Sequence, residues 1–198
     1  MARYGIRLGT AIGAALMVTA CLPVTSTSPI GTTAGYKADP QLTGMWKGQT
    51  DDSGSIGYFT FFPQKDGSFK VMLLDPPASG DSGDWMAFEI HTARLGAYQY
   101  MDVRETDDGG KPPDPRLAHV PVLYRVGENG SLVFYLMDED AAKAAIKAGK
   151  ISGRVESGDF GDVTVAAAPT ALDALLGTAA GRALFTKPFA TLQRINPP

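Results

Sequence analysis

Thiols, imidazoles and carboxylates are the side chains best equipped for chemistry, and this chain is sparing with the first two. Its 198 residues include one cysteine, Cys21, and two histidines, His91 and His119. A single thiol excludes an intrachain disulfide and a cysteine-built zinc site, so Cys21 is left as a lone nucleophile. Two histidines and a carboxylate could bind a metal, and Glu89 falls on the same strand face as His91. No helical or hairpin spacing ties His119 to that pair. The simpler reading is a polar outer-face residue and a strand-start histidine, so neither a metal site nor a catalytic set is expected. The sequence lacks a nucleophile elbow, a Walker loop, an HExxH pair and a dinucleotide fingerprint. Asp81-Ser-Gly-Asp84 lacks the ligand spacing of a calcium loop. Asp51-Asp52 and Asp107-Asp108 read as solvated turns, and no cofactor is expected.

Cys21 closes the segment MARYGIRLGTAIGAALMVTAC. Arg3 and Arg7 make it positive at the start, and Leu8 to Ala20 are apolar and rich in Ala and Gly. Small residues precede the cysteine, the layout of an export signal. A membrane-spanning helix needs ~20 apolar residues, more than this stretch supplies. Val18-Thr19-Ala20-Cys21 resembles the bacterial lipobox. The resemblance implies diacylglyceryl transfer to the Cys21 sulfur, cleavage between Ala20 and Cys21, and acylation of the new amino group. Several acyl chains on one residue meet the two-signal requirement for stable anchoring. Leu22 stands where an Asp commonly retains such proteins in the inner membrane. The expected address is therefore the outer membrane, facing the periplasm, or the cell membrane of a single-membrane organism.

Residues 1–20 are thus read as a lipoprotein signal peptide. Residues 21–40, rich in Ser, Thr, Pro and Gly without periodicity, are read as a lipidated flexible tether. Residues 41–198 are read as one globular domain. The precursor carries a net charge of −3; losing residues 1–20 removes Arg3 and Arg7 and no acid, which leaves −5. Such a domain is repelled by phosphate backbones and gains nothing from anionic lipid, so nucleic acid is not an expected partner.

From Gln41 onward, short apolar runs alternate with turn clusters, as in an antiparallel β protein. Strands are predicted at 42–49, 56–63, 69–74, 85–94, 97–104, 118–126 and 131–137, with loops at 75–84 and 105–116. Met86, Phe88 and Ile90 face one way and Ala87, Glu89 and His91 the other. Asp138 is a good N-cap for a helix ending near Gly149. Short strands follow at 151–156 and 162–167, then a helix at 169–179. Residues 184–195 are open between a strand and a helical turn. The fold class is mainly β: an antiparallel barrel or strongly curved sheet of about eight or nine strands, with two short helices in the C-terminal half.

Leu42-Thr43-Gly44-Met45-Trp46 opens the first strand. This Gly-x-Trp resembles the first-strand motif of lipocalins and related small-ligand barrels. The resemblance implies that Trp46 closes one barrel end and stacks on a basic residue from a late strand, for which Arg194 is the candidate. Set against it is a core Trp at a strand start. The wider layout is similar to uncharacterised bacterial envelope lipoproteins. Two functions follow as expectations: a lipid-anchored module holding a small apolar ligand or lipid, or a non-catalytic accessory lipoprotein docking on another envelope protein through its long loops.

Overall fold

A computed structural model of the chain describes residues 23–49, 56–75, 84–106, 118–156 and 162–195. Cys21, the signal segment, most of the two long loops and the acid pairs at 51–52 and 107–108 lie outside the described residues. The elements are β1 (Thr25–Ser26), a 3-10 turn (Pro40–Leu42), β2 (Gly44–Gln49), β3 (Ile56–Pro63), β4 (Ser68–Asp75), β5 (Asp84–Leu95), β6 (Tyr98–Glu105), β7 (Val120–Val126) and β8 (Ser131–Leu136). Then come α1 (Glu139–Lys147), β9 (Gly153–Val155), β10 (Val163–Val165), α2 (Pro169–Leu176), α3 (Ala179–Arg182) and β11 (Pro188–Arg194).

Eight strands close into a lipocalin-like antiparallel barrel in the order β11-β2-β3-β4-β5-β6-β7-β8. Neighbours in sequence pair from β2 to β8, and in the described links β3–β4 and β7–β8 Gly67 and Gly130 supply the left-handed backbone that the turns need. The last strand, undecided in the sequence, pairs with β2 on one side and β8 on the other and so closes the cylinder. Side chains alternate in and out with period two. Trp46, Phe61, Phe69, Val71, Ile90, Met101, Tyr124, Leu132 and Leu192 face inward and form one core cluster.

A second core lies outside the barrel. Leu95, Tyr100 and Leu123, on the outer faces of β5, β6 and β7, pack under Ala142, Ala145, Val163, Val165, Leu172, Leu176 and Phe185. The Tyr100 hydroxyl donates to the Leu176 carbonyl at 2.9 Å. α1 is held at its start by Asp138, whose carboxylate accepts from the Ala141 N–H at 2.9 Å and the Thr186 hydroxyl at 2.7 Å.

Three expectations change. The two strands predicted after α1 are not barrel strands. As β9 and β10 they join β1 in a separate three-stranded sheet, in which Val163 and Val165 of β10, and Ile151 just before β9, serve the outer core. The helix expected over 169–179 breaks after Gly177 into α2 and α3, where Thr178 accepts from the Gly181 N–H and caps the second piece.

The third correction concerns residues 23–40, which are not a free tether. β1 pairs in parallel with β10, and Val24, Ser26 and Ile30 are buried. Asp173 draws three donors from this segment: the Gly31 N–H at 2.6 Å, the Thr33 N–H at 2.9 Å and the Thr33 hydroxyl at 2.7 Å. Gly31 has φ +86°, and a Cβ there would lie 2.3 Å from that of Ala93, so only glycine allows this close approach. The segment behaves as a strap whose affinity comes from distant carboxylates, not from its own periodicity.

Candidate functional site

The barrel has two unlike ends. At the base, where β2 begins, the strap crosses the opening as the 3-10 turn. Asp39 caps that turn and accepts from the Tyr124 hydroxyl at 2.9 Å and the Gln99 side-chain amide at 3.1 Å. Burial, aided by Asp39, raises the Tyr124 pKa far above that of a free phenol and keeps it a donor. Leu42 enters the barrel and is fully buried.

Gly44, Trp46 and Arg194 meet here. Trp46 is fully buried and its indole N–H donates to the Leu42 carbonyl at 2.8 Å. Arg194 pairs with Trp46 across β11 and β2, and its guanidinium carbon lies 4.2 Å from the Trp46 ring centroid. The same guanidinium donates to the Thr43 carbonyl at 2.5 Å and to the Gln41 carbonyl. Gly44 has φ +111°, and a Cβ there would come within 3.3 Å of the Arg194 Nη1. These residues build a plug that seals the base; they offer no group poised for bond making.

The opposite end, bordered by Gln49, Ile56, Asp75, Asp84, Glu105, Val120, Leu136 and Pro188, is the mouth. Burial falls along the interior towards it. Phe69, Met101 and Leu132 near the base are almost wholly buried, and Ile90, Val122 and Phe134 at mid-height are slightly less so. Phe59, Phe88, Val103, Val120 and Leu136, next towards the mouth, are half-buried although they belong to the same inward cluster. Phe59 and Phe134 meet edge to face at 6.2 Å between centroids, at the level where this burial begins to fall. The wall is apolar, as suits an apolar guest.

The histidines do not converge with Glu89. His119 Nδ1 lies 2.8 Å from Asp102 Oδ2, and Asp102, almost fully buried, also accepts weakly from the Ile30 N–H at 3.4 Å. His91 stacks on Tyr36 at 4.3 Å between ring centroids. Both histidines therefore serve the strap. Burial first, then Asp102 and Asp173, pushes the Tyr36 pKa up to about 12, with Arg104 opposing. The Asp102–His119 pair escaped sequence reasoning: Asp102 registers with Pro121, two residues past His119, and only that register places them on one outer face. Among the described residues, no three His, Cys, Asp or Glu side chains come together to hold a metal.

No protein-family model, no curated protein and no solved structure matches the chain significantly. The fold and its plug therefore carry the functional reading by themselves.

Proposed function

We propose that this chain is an exported lipoprotein, anchored through Cys21, whose barrel holds a small apolar molecule or a lipid acyl chain in the cell envelope. The observation that supports this most is the gradient along the inner wall. A sealed base, with inward apolar residues that are only half-buried from Phe59 and Phe88 to Leu136, is what a barrel with room for a guest in its far half would present. A non-catalytic accessory role is the second reading. It would be served by an interior filled to the rim, and the half-buried residues below the mouth count against it.

The test is native mass spectrometry with lipid extraction on the chain from Pro23 onward, exported and purified without detergent. Starting at Pro23 keeps the strap that the fold uses. An adduct of defined mass that partitions into organic solvent is expected. Val103→Glu, at the half-buried wall, should abolish it while leaving the far-UV spectrum unchanged, because a charge there repels an apolar guest. A clean apo mass from the unmutated chain would overturn the binding reading.

A further inference from the structure

On β2, β3, β4 and the first half of β5, the described outward side chains from Met45, Phe62, Lys70 and Glu89 to the mouth are exposed or half-buried. Among the described residues eight large apolar side chains are exposed, and six of them stand on this wall: Met45, Ile56, Phe62, Met72, Leu74 and Trp85, at 38–52%. Taking ~200 Å² for a side chain of this size, they leave roughly 500 Å² of apolar surface in one patch. That matches the largest patch of a typical monomer, ~300–600 Å², which is commonly a site of association. With the stems of Lys47 and Lys70 added, the wall approaches the ~600 Å² per partner at which stable interfaces begin. Its described outward charges are Lys47, Lys70 and Glu89, so two copies of this wall can meet without the repulsion that the net negative charge of the domain would otherwise impose.

The registers make the wall complementary to itself. One row across the four strands reads Met45, Thr60, Met72, Ala87, with large and small side chains in alternation. The next row towards the mouth reads Lys47, Tyr58, Leu74, Trp85. A two-fold axis along the strands, between β3 and β4, lays β3 of one copy on β4 of the other and faces β2 with β5. Thr60 then receives Met72 of the second copy, and Ala87 receives its Met45. Tyr58 meets Leu74 of the second copy. Lys47, which is exposed, meets the ring of its Trp85, the aromatic face that best holds a cation. Each of these contacts occurs twice, as an isologous interface requires. The outer wall of a barrel is convex, so the gap between copies widens from β3 and β4 towards β2 and β5. Met45, Lys47 and Trp85 stand at that rim and are long enough to cross it. A lipid surface has no recesses to match the alternation, and it would have to accept Lys70 and Glu89 within the patch.

We infer that the occupant of this wall is a second copy of the chain, packed face to face about a two-fold axis with β3 and β4 at its centre. The inference needs neither the Cys21 anchor nor a guest in the barrel.

The test is site-directed photo-cross-linking of the full-length chain in intact cells. Benzoylphenylalanine takes the place of Met72, an exposed position at the centre of the wall. The expected product has twice the mass of the chain, with position 72 joined to the β3 segment around Thr60. Thr60 and Met72 are also neighbours within one copy, so only the product of doubled mass counts. The same group in place of Glu128, exposed between β7 and β8, should give no such product. Thr60→Arg places a charge at the centre of the contact and should lower the yield about tenfold or more. Lys47→Gln removes the cation facing Trp85 and should lower it a few-fold, about threefold; being exposed, it carries the test if Thr60→Arg fails to fold by circular dichroism. Chain that stays monomeric, an adduct to lipid or a product with a different protein overturns the dimer. So does a doubled product joined outside β3 and β4, or one whose yield the folded variants leave unchanged.

Discussion

Arg194→Met tests the plug most directly. Methionine keeps an unbranched apolar stem against Trp46 and removes the guanidinium alone. The charged bond to the half-buried Thr43 carbonyl is worth ~1.5–3 kcal/mol. The bond to Gln41 is exposed and is counted as nothing. The stacking on Trp46 at 4.2 Å adds ~0.5–2 kcal/mol at a partly desolvated site. The expected loss is ~2–5 kcal/mol, or ~4–20 °C in Tm for a domain of this size. The assay is thermal and urea unfolding of the chain from Pro23, followed by circular dichroism and by Trp46 emission. Arg125→Met is the control. Arg125 is exposed, and its guanidinium lies 5.7 Å above Tyr135, where Arg182 also stacks at 5.2 Å. Its removal should cost no more than ~0.5 kcal/mol. Equal stability of Arg194→Met and the parent, or an equal loss in the control, would falsify the view that the plug is held by this contact.

Asp173→Ala leaves the buried Gly31 N–H without its acceptor and removes two bonds to Thr33; a loss of ~3 kcal/mol is expected, with new protease cleavage between residues 27 and 36. Asp138→Ala removes the α1 N-cap and should cost ~1 kcal/mol in urea unfolding. The Thr186 hydroxyl, then the Ala141 N–H, lowers the Asp138 pKa below its ordinary 3.8. Its contribution is therefore present above that pH and fades as pH falls through the lowered value, a fade the alanine variant should not show. Tyr36, Tyr100 and Tyr124 all have raised pKa values, chiefly through burial. Their contribution is complete below an unfolded tyrosine pKa of ~10 and is lost as pH rises through the folded values, about 12 for Tyr36. Unfolding midpoints between pH 8 and 12, read beside tyrosinate absorbance, check this: flat stability up to pH 12 would contradict it.

The barrel strands were legible because period-two alternation is a local signal. Phe88 and Ile90 face inward as their spacing in Met86–Ile90 requires. Gly44, Trp46 and Arg194 were legible as a set through a two-residue motif and one late arginine. The strap was not. Residues 23–40 look like a linker because Val24 and Ile30 are isolated apolar residues among Ser, Thr, Pro and Gly. The carboxylates that hold Ile30 and Gly31, Asp102 and Asp173, lie 72 and 142 residues from them, and composition carries no trace of such a pairing. β11 was ambiguous because its register shifts between Pro188 and Ala190, which disturbs the alternation at its start. β9 and β10 were legible as strands but not in their sheet, since runs of three residues do not say which neighbour they meet.

The position of β11 has a consequence for how the polypeptide reaches this shape. Synthesis makes β2 through β8 first, and these can form a seven-stranded ribbon by successive hairpins. Until residues 188–194 arrive, the ribbon carries two unpaired edges, β2 and β8, each a template for pairing with another chain. Closure then joins residues almost 150 positions apart, Arg194 to Trp46, a slow step by the cost of ordering so long a loop. The half-made protein is thus the aggregation-prone species, and losing the last strand would return the mature one to that state.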